Sequence, residues 1–278
     1  MNKALTTCLL LAVTVADEQF KAKKELAGAW GYMRAAELFE AADSFNSAAT
    51  ALAQLDEKVP NSPWSHRLFT VKFRYYMSNK KRLKDAQQVA QKYESEAIKR
   101  NWARGYEHQA KFFMLIAEAA GGKMAKDAVE TKLKQIMSDT DGTAGFVFTE
   151  AKVFLGDFYR QNKGYAKAVK EYDDILELSG VRADVLGRVY LGLGYIHSEK
   201  GVVDRDKEAF HQAYLSFLRV YILAKEAHPE LVAEALYNAS QAVESWGGLP
   251  TSRFESARLR GRLRLRAPWK NTSWAKKR

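Results

Sequence analysis

The stretch AKVFLGDFYRQNKGYAKAVKEYDDILELSG, residues 151–180, is the most informative part of this chain. Gly156 is followed by Ala168 twelve positions later, then by Tyr172 after four more and Gly180 after eight more, with Leu155 and Tyr159 as bulky neighbours. The same steps occur near the N-terminus, at Ala36, Ala48, Leu52 and Pro60, with Tyr32, Ala35 and Phe39 upstream. A third copy uses Tyr190, Leu193, Gly194 and Gly201. There an insert displaces the second half, so the central alanine becomes Ala213 and the bulky residue Phe217. A fourth start, AEALYNASQAVESWG over 233–247, places Leu236, Ala239, Ser240 and Val243 at the packing positions. Two looser copies fill the middle: Phe73, Met77, Leu83, Ala86 and Tyr93, then Tyr106, Ala110, Phe113 and Ala128.

This spacing resembles the tetratricopeptide repeat. The resemblance implies pairs of antiparallel helices that pack small residues against large ones and stack pair upon pair. The expected fold is therefore all-α, an α-solenoid of about six antiparallel helix pairs wound as a tetratricopeptide-like superhelix. Two positions depart from the family: Arg74 stands where it prefers glycine or alanine, and Gln109 where it prefers leucine. Both put close helix approach in doubt in the middle copies. Punctuation agrees with the division. Ser62 before Pro63 predicts a helix start there, Ser252 with Glu255 reads as a capping box, and His228 with Pro229 marks a restart. GVVDRDKE, residues 201–208, reads as an extended turn between two helices, and Gly121 as a helix stop.

The 278 residues contain five prolines and no Pro-, Gly- or Ser-rich linker, so one continuous repeat array over 17–265 is expected. Ahead of it, Met-Asn-Lys and an apolar run from Ala4 to Val15 precede an abrupt switch to Asp17 and Glu18. That arrangement predicts a signal peptide over 1–16, cleaved after Ala16, and a periplasmic or secreted protein. The run is too short to span a bilayer, which takes about 20 apolar residues. The only cysteine, Cys8, would leave with it.

The net charge of +11 is concentrated at the C-terminus: from Arg253 to Arg278 ten Lys or Arg face the single acid Glu255. Arg258, Arg262 and Arg266 form a stripe beside Leu259 and Leu263, and a basic tail occupies 266–278. The stripe reads either as a footprint for an anionic partner, such as an envelope component (acidic lipid head groups or a cell-wall polymer) or, in a cytosolic protein, nucleic acid, or as the solvated outer face of a closing helix. Only Trp269 and Trp274 offer stacking surfaces to bases, and export argues against nucleic acid.

Residues that carry chemistry are sparse. His66, His108, His197, His211 and His228 show no metal-ligand spacing, no cofactor motif is present, and GVVDRDKE lacks the ligand pattern of a calcium loop. The array is expected to bind rather than catalyse. The enzyme alternative would use carboxylates such as Glu37, Glu107 or Asp157.

In the resembled family the first helix of each pair lines a groove. Carried over by offset, this implies Trp30, Met33 and Glu37; Val71 and Tyr75; Arg104, Glu107 and Lys111; Val153, Asp157 and Arg160; Arg188, Leu191 and Tyr195; and Glu234, Tyr237 and Gln241. Tyrosine and arginine are frequent interface anchors, which favours Tyr75, Arg104, Arg160, Tyr195 and Tyr237. The phrases AEALYN and PNSPW are similar to periplasmic repeat proteins that coordinate envelope assembly or division. They imply a non-enzymatic scaffold or adaptor of the cell envelope that takes a peptide or protein segment in its groove.

Overall fold

The computed structural model describes residues 25–265 except 42–43, 61, 123, 141–144, 225 and 248–251, together with Trp274. The expected signal peptide, Arg266 and most of the basic tail lie outside the described residues. Twelve α-helices and no strand occur among them: α1 (Glu25–Ala41), α2 (Phe45–Lys58), α3 (Arg67–Met77), α4 (Leu83–Lys99), α5 (Arg104–Ala120), α6 (Lys126–Thr140), α7 (Gly145–Gln161), α8 (Tyr165–Leu176), α9 (Ala183–Asp204), α10 (Lys207–Leu223), α11 (Pro229–Trp246) and α12 (Ser252–Leu265). The all-α class read from the spacing is the one observed. The chain divides into two compact units, residues 1–147 and 148–278.

In the N-terminal unit each helix packs on the next along the chain, from α1 to α6. Tyr32, Ala35 and Ala36 of α1 meet Ala48, Leu52 and Leu55 of α2 in one fully buried cluster. Full burial of one such leucine is worth about 2 kcal/mol. The middle copies solve their packing with aromatic rings instead of small-against-large contacts. Phe69 of α3 stacks on Tyr93 of α4 at 5.1 Å, and Phe73 of α3 on Phe113 of α5 at 4.1 Å. Arg74 turns outward, and the buried Gln109 accepts a 2.8 Å hydrogen bond from the Tyr93 hydroxyl. A polar residue is therefore accommodated where the family buries leucine.

The C-terminal unit packs its helices through glycine seats. Helix α9 holds four glycines, each costing roughly 0.5–1 kcal/mol against alanine in a helix interior. Each one seats a large side chain: Gly187 takes Leu231, Gly192 takes Tyr172, Gly194 takes Phe217 and Gly201 takes Phe210. A Cβ on Gly192 would lie 2.5 Å from the Tyr172 ring, and one on Gly156 of α7 would meet the same ring at 2.5 Å. Tyr172 of α8 is thus wedged between α7 and α9, and this wedge is the spacing of the 151–180 segment realised in three dimensions. Between α11 and α12 the contact is partly polar. The buried Ser240 accepts from Arg260 Nε at 3.2 Å, and Ser256 donates to Glu244 at 2.7 Å.

Two local expectations require correction. No helix begins at Pro63: residues 63–66 form turns with bonds of the i→i+3 kind, and α3 starts at Arg67. The Ser62 hydroxyl does accept from Trp64 N, at 3.3 Å, but it caps this turn rather than an α-helix. The segment 201–208 is not an extended turn. Helix α9 continues to Asp204, Arg205 takes a left-handed conformation, and Asp206 accepts from the amides of Glu208 and Ala209 to cap α10. The insert extends α9 to 22 residues, and the absence of a Cβ at Gly201 lets the Phe210 ring seat against the added turn. By contrast, α11 begins at Pro229 and stops at Gly247 in the left-handed region, as the sequence indicates.

Candidate functional site

Within the C-terminal unit the side chains implied by the groove offsets come together on α7, α9 and α11. The Asp157 carboxylate is central: Oδ1 accepts from the Tyr172 hydroxyl and Oδ2 from Arg188 Nη2, both at 2.7 Å. Arg160, one turn further along α7, lies 3.8 Å from Asp157, and its guanidinium sits 5.0 Å from the centre of the Tyr195 ring, within cation–π range. The Tyr195 hydroxyl donates to Glu234 of α11 and accepts from Asn238 Nδ2 at 3.0 Å. One chain of polar contacts therefore runs Arg188, Asp157, Arg160, Tyr195, Glu234 and Asn238 across three helices.

The surroundings keep both phenols protonated and therefore donating. Burial, then the Asp157 charge, pushes the Tyr172 phenol far above its ordinary value, so it remains a donor. Burial and the bond to Glu234 do the same for Tyr195. Arg160 Nε is buried and has no hydrogen-bond partner among the described residues. Tyr237 lies on the next stripe of α11, and Gln241 is exposed one turn beyond it. Leu191 and Val153 are buried and support the layer rather than line an open surface.

The N-terminal unit gathers its candidates less completely. Arg67 of α3 donates to Glu37 and Glu40 of α1 at 2.7 and 2.8 Å, and Arg34 also bonds Glu37. Trp30 is 55% exposed on α1 with Arg34 beside its ring. Met33 and Val71 are buried in the core. Tyr75 is half-buried at the far end of α3, where Arg82 lies over it at 5.4 Å. Arg104 is exposed at the start of α5. Lys111 is 2.5 Å from Glu107 on its own helix and 3.9 Å from Glu94 of α4. Trp30, Tyr75 and Arg104 lie on three different helices, α1, α3 and the start of α5.

Each carboxylate weighed for catalysis accepts from a cation: Glu37 from Arg67, Asp157 from Arg188, and Glu107 from Lys111, whose bond holds the Glu107 carboxyl below its usual range. Among the described residues no cluster of His, Cys, Asp or Glu has the makings of a metal site. No described helix is long and apolar enough to cross a membrane. On α12, Arg258 bonds Glu255 at 2.8 Å, and Arg262 lies over Tyr221 of α10 at 5.6 Å.

Sequence reasoning missed two members of the network. Asn238 is not among the groove offsets; its position four residues after Glu234, on the same helical face, is the available signal. Tyr172 was read as packing alone, and nothing in the spacing shows that its hydroxyl emerges beside Asp157.

The fold is similar to that of the quorum sensor NprR from B. thuringiensis in its apo form, with a TM-score of 0.55 at 13% identity, over 96% of this chain and 77% of that one. At that identity the likeness speaks for the fold alone: a tetratricopeptide-like helical repeat. No family model matches the sequence, and no curated protein matches it significantly.

Proposed function

We propose that this chain is a non-enzymatic binding scaffold that receives a peptide or protein segment on the α7–α9–α11 face. The observation that carries the reading is the Asp157–Arg160–Tyr195–Glu234–Asn238 network. It puts charged, amide and aromatic groups from three helices on one layer, the mixture an extended or helical segment needs for both register and affinity. The resemblance to a quorum sensor's fold supports the same class, since a helical repeat offers a long face built from successive helices.

The finer reading places the scaffold in the cell envelope of a Gram-negative type of bacterium, exported by the apolar segment over 1–16. The AEALYN and PNSPW phrases support it, and an anionic envelope component is the partner we assign to the basic C-terminus. Photo-crosslinking from position 195 or 237 in the native organism, followed by identification of the captured species, tests the scaffold. Capture of one protein, abolished by Asp157→Ala, is the expected result. Turnover of a small molecule with no captured protein overturns it. N-terminal sequencing of the mature protein tests export, for which an intact Met1 is the adverse outcome.

A further inference from the structure

The edge of α11 next to the polar network is already occupied by the ring of Trp274. Ala233 and Tyr237 stand one helical turn apart, and beside them Glu234 and Asn238 hold Tyr195. Ala233 is fully buried, and the apolar side chains packed against it are Tyr237 and Trp274. Trp274 comes from beyond the end of α12, so this is a tertiary contact and not a neighbour effect. Its ring lies 5.5 Å from that of Tyr237 at 45°, a tilted arrangement of the kind aromatic pairs favour. The Ala233 methyl forms the floor and the Tyr237 ring the wall against which the Trp274 indole packs.

We propose that the Ala233–Tyr237 edge is a docking surface for an aromatic side chain of the partner segment, and that Trp274 holds this surface in cis until the partner displaces it. The inference rests on the α7–α9–α11 reading and adds to it the chemistry of the anchor and a means of regulation. A tethered occupant acts at a high effective concentration. A protein whose site is open only a tenth of the time shows an affinity weakened about tenfold. Trp274 therefore sets a threshold: a segment lacking an aromatic anchor does not compete with it.

Two measurements on the full chain decide it. Chemical denaturation of Trp274→Ala, Tyr237→Ala and the double variant tests the contact itself, and non-additive shifts in the midpoint are expected; strict additivity overturns the proposal. Peptides are then selected from a random display library on the Trp274→Ala chain and titrated, with a fluorescent label, against the Trp274→Ala, wild-type and Tyr237→Ala chains. The expected peptides carry Trp, Tyr or Phe, bind wild type about tenfold more weakly than Trp274→Ala, and lose binding in Tyr237→Ala. Peptides that bind wild type and Trp274→Ala equally, or lack an aromatic residue, overturn the proposal; if their binding still depends on Arg160 and Tyr195, the scaffold reading stands. Selection of no peptide at all sinks both.

Discussion

The hydroxyl of Tyr172, on α8, passes between two helices to reach Asp157 of α7 at 2.7 Å. The ring makes that passage because Gly156 and Gly192 present no Cβ to it. A packing feature of the repeat thereby delivers a hydrogen-bond donor to the layer that carries the candidate site.

Gly156→Ala and Gly192→Ala are each expected to destabilise the protein by about 1–3 kcal/mol, because overpacking against a fully buried ring outweighs the gain in helix propensity. Gly261→Ala in α12 meets nothing within 4 Å and is expected to stabilise by roughly 0.5–1 kcal/mol. Urea denaturation of the three variants checks the contrast, and equal effects at all three positions would refute it.

Asp157→Ala leaves Arg188 and the buried Tyr172 hydroxyl without their acceptor and is expected to cost about 1–3 kcal/mol. Tyr172→Phe removes only the hydroxyl and should cost about 1 kcal/mol. A double-mutant cycle between them is expected to give a coupling of about 0.5–2 kcal/mol. A coupling of zero would show that the two groups act independently.

His66 stacks on Tyr106 at 4.3 Å, and burial, followed by the charge of Arg67, lowers its pKa to about 4. The unfolded chain binds its proton near the ordinary value of about 6.5. Between those values the unfolded state holds more protons, so stability falls as pH drops from about 7 to about 4, by roughly 3 kcal/mol from this group. His66→Phe keeps the stack and removes the proton site, so the gap between variant and wild type should change across that window. Parallel pH profiles would rule this out.

Arg100 ties the end of α4 to α2 and the turn after it: it reaches Asp56 at 2.6 and 3.0 Å, Pro60 O at 2.5 Å and Glu96 at 2.7 Å. Arg100→Ala is expected to cost about 2–3 kcal/mol, since it strands two largely buried carboxylates. Arg100→Lys should recover less than half of that, because an ammonium lacks the planar fork these acceptors require. Thermal denaturation compares the two, and full rescue by lysine would contradict the bidentate role.

Much of this architecture was legible before any coordinates. Ala36, Ala48 and Leu52, and Gly156, Ala168 and Tyr172, announce helix pairs because small-against-large contacts recur at intervals that helix geometry sets. Pro229 and Gly247 bound α11 for equally local reasons, a missing amide at one end and a left-handed turn at the other. The start of α3 and the length of α9 escaped such reading. At residues 63–66 tight turns compete with the helix, and at 201–204 the seat of Phe210 on Gly201 rewards extra helical residues.

The candidate site divides along the same line. Offsets along single helices put Asp157, Arg160, Tyr195 and Tyr237 among the candidates, since one periodicity governs which way side chains on a helix face. Which of them would meet was a matter of packing: Asp157 with Arg188 and Tyr172, Tyr195 with Glu234 and Asn238, and Tyr237 with Trp274 join residues far apart in the chain. Periodicity says which way a side chain faces along its own helix, but ion pairs and ring contacts depend on the distance between helices. That distance is set by the glycine seats and bulky wedges of the assembled core.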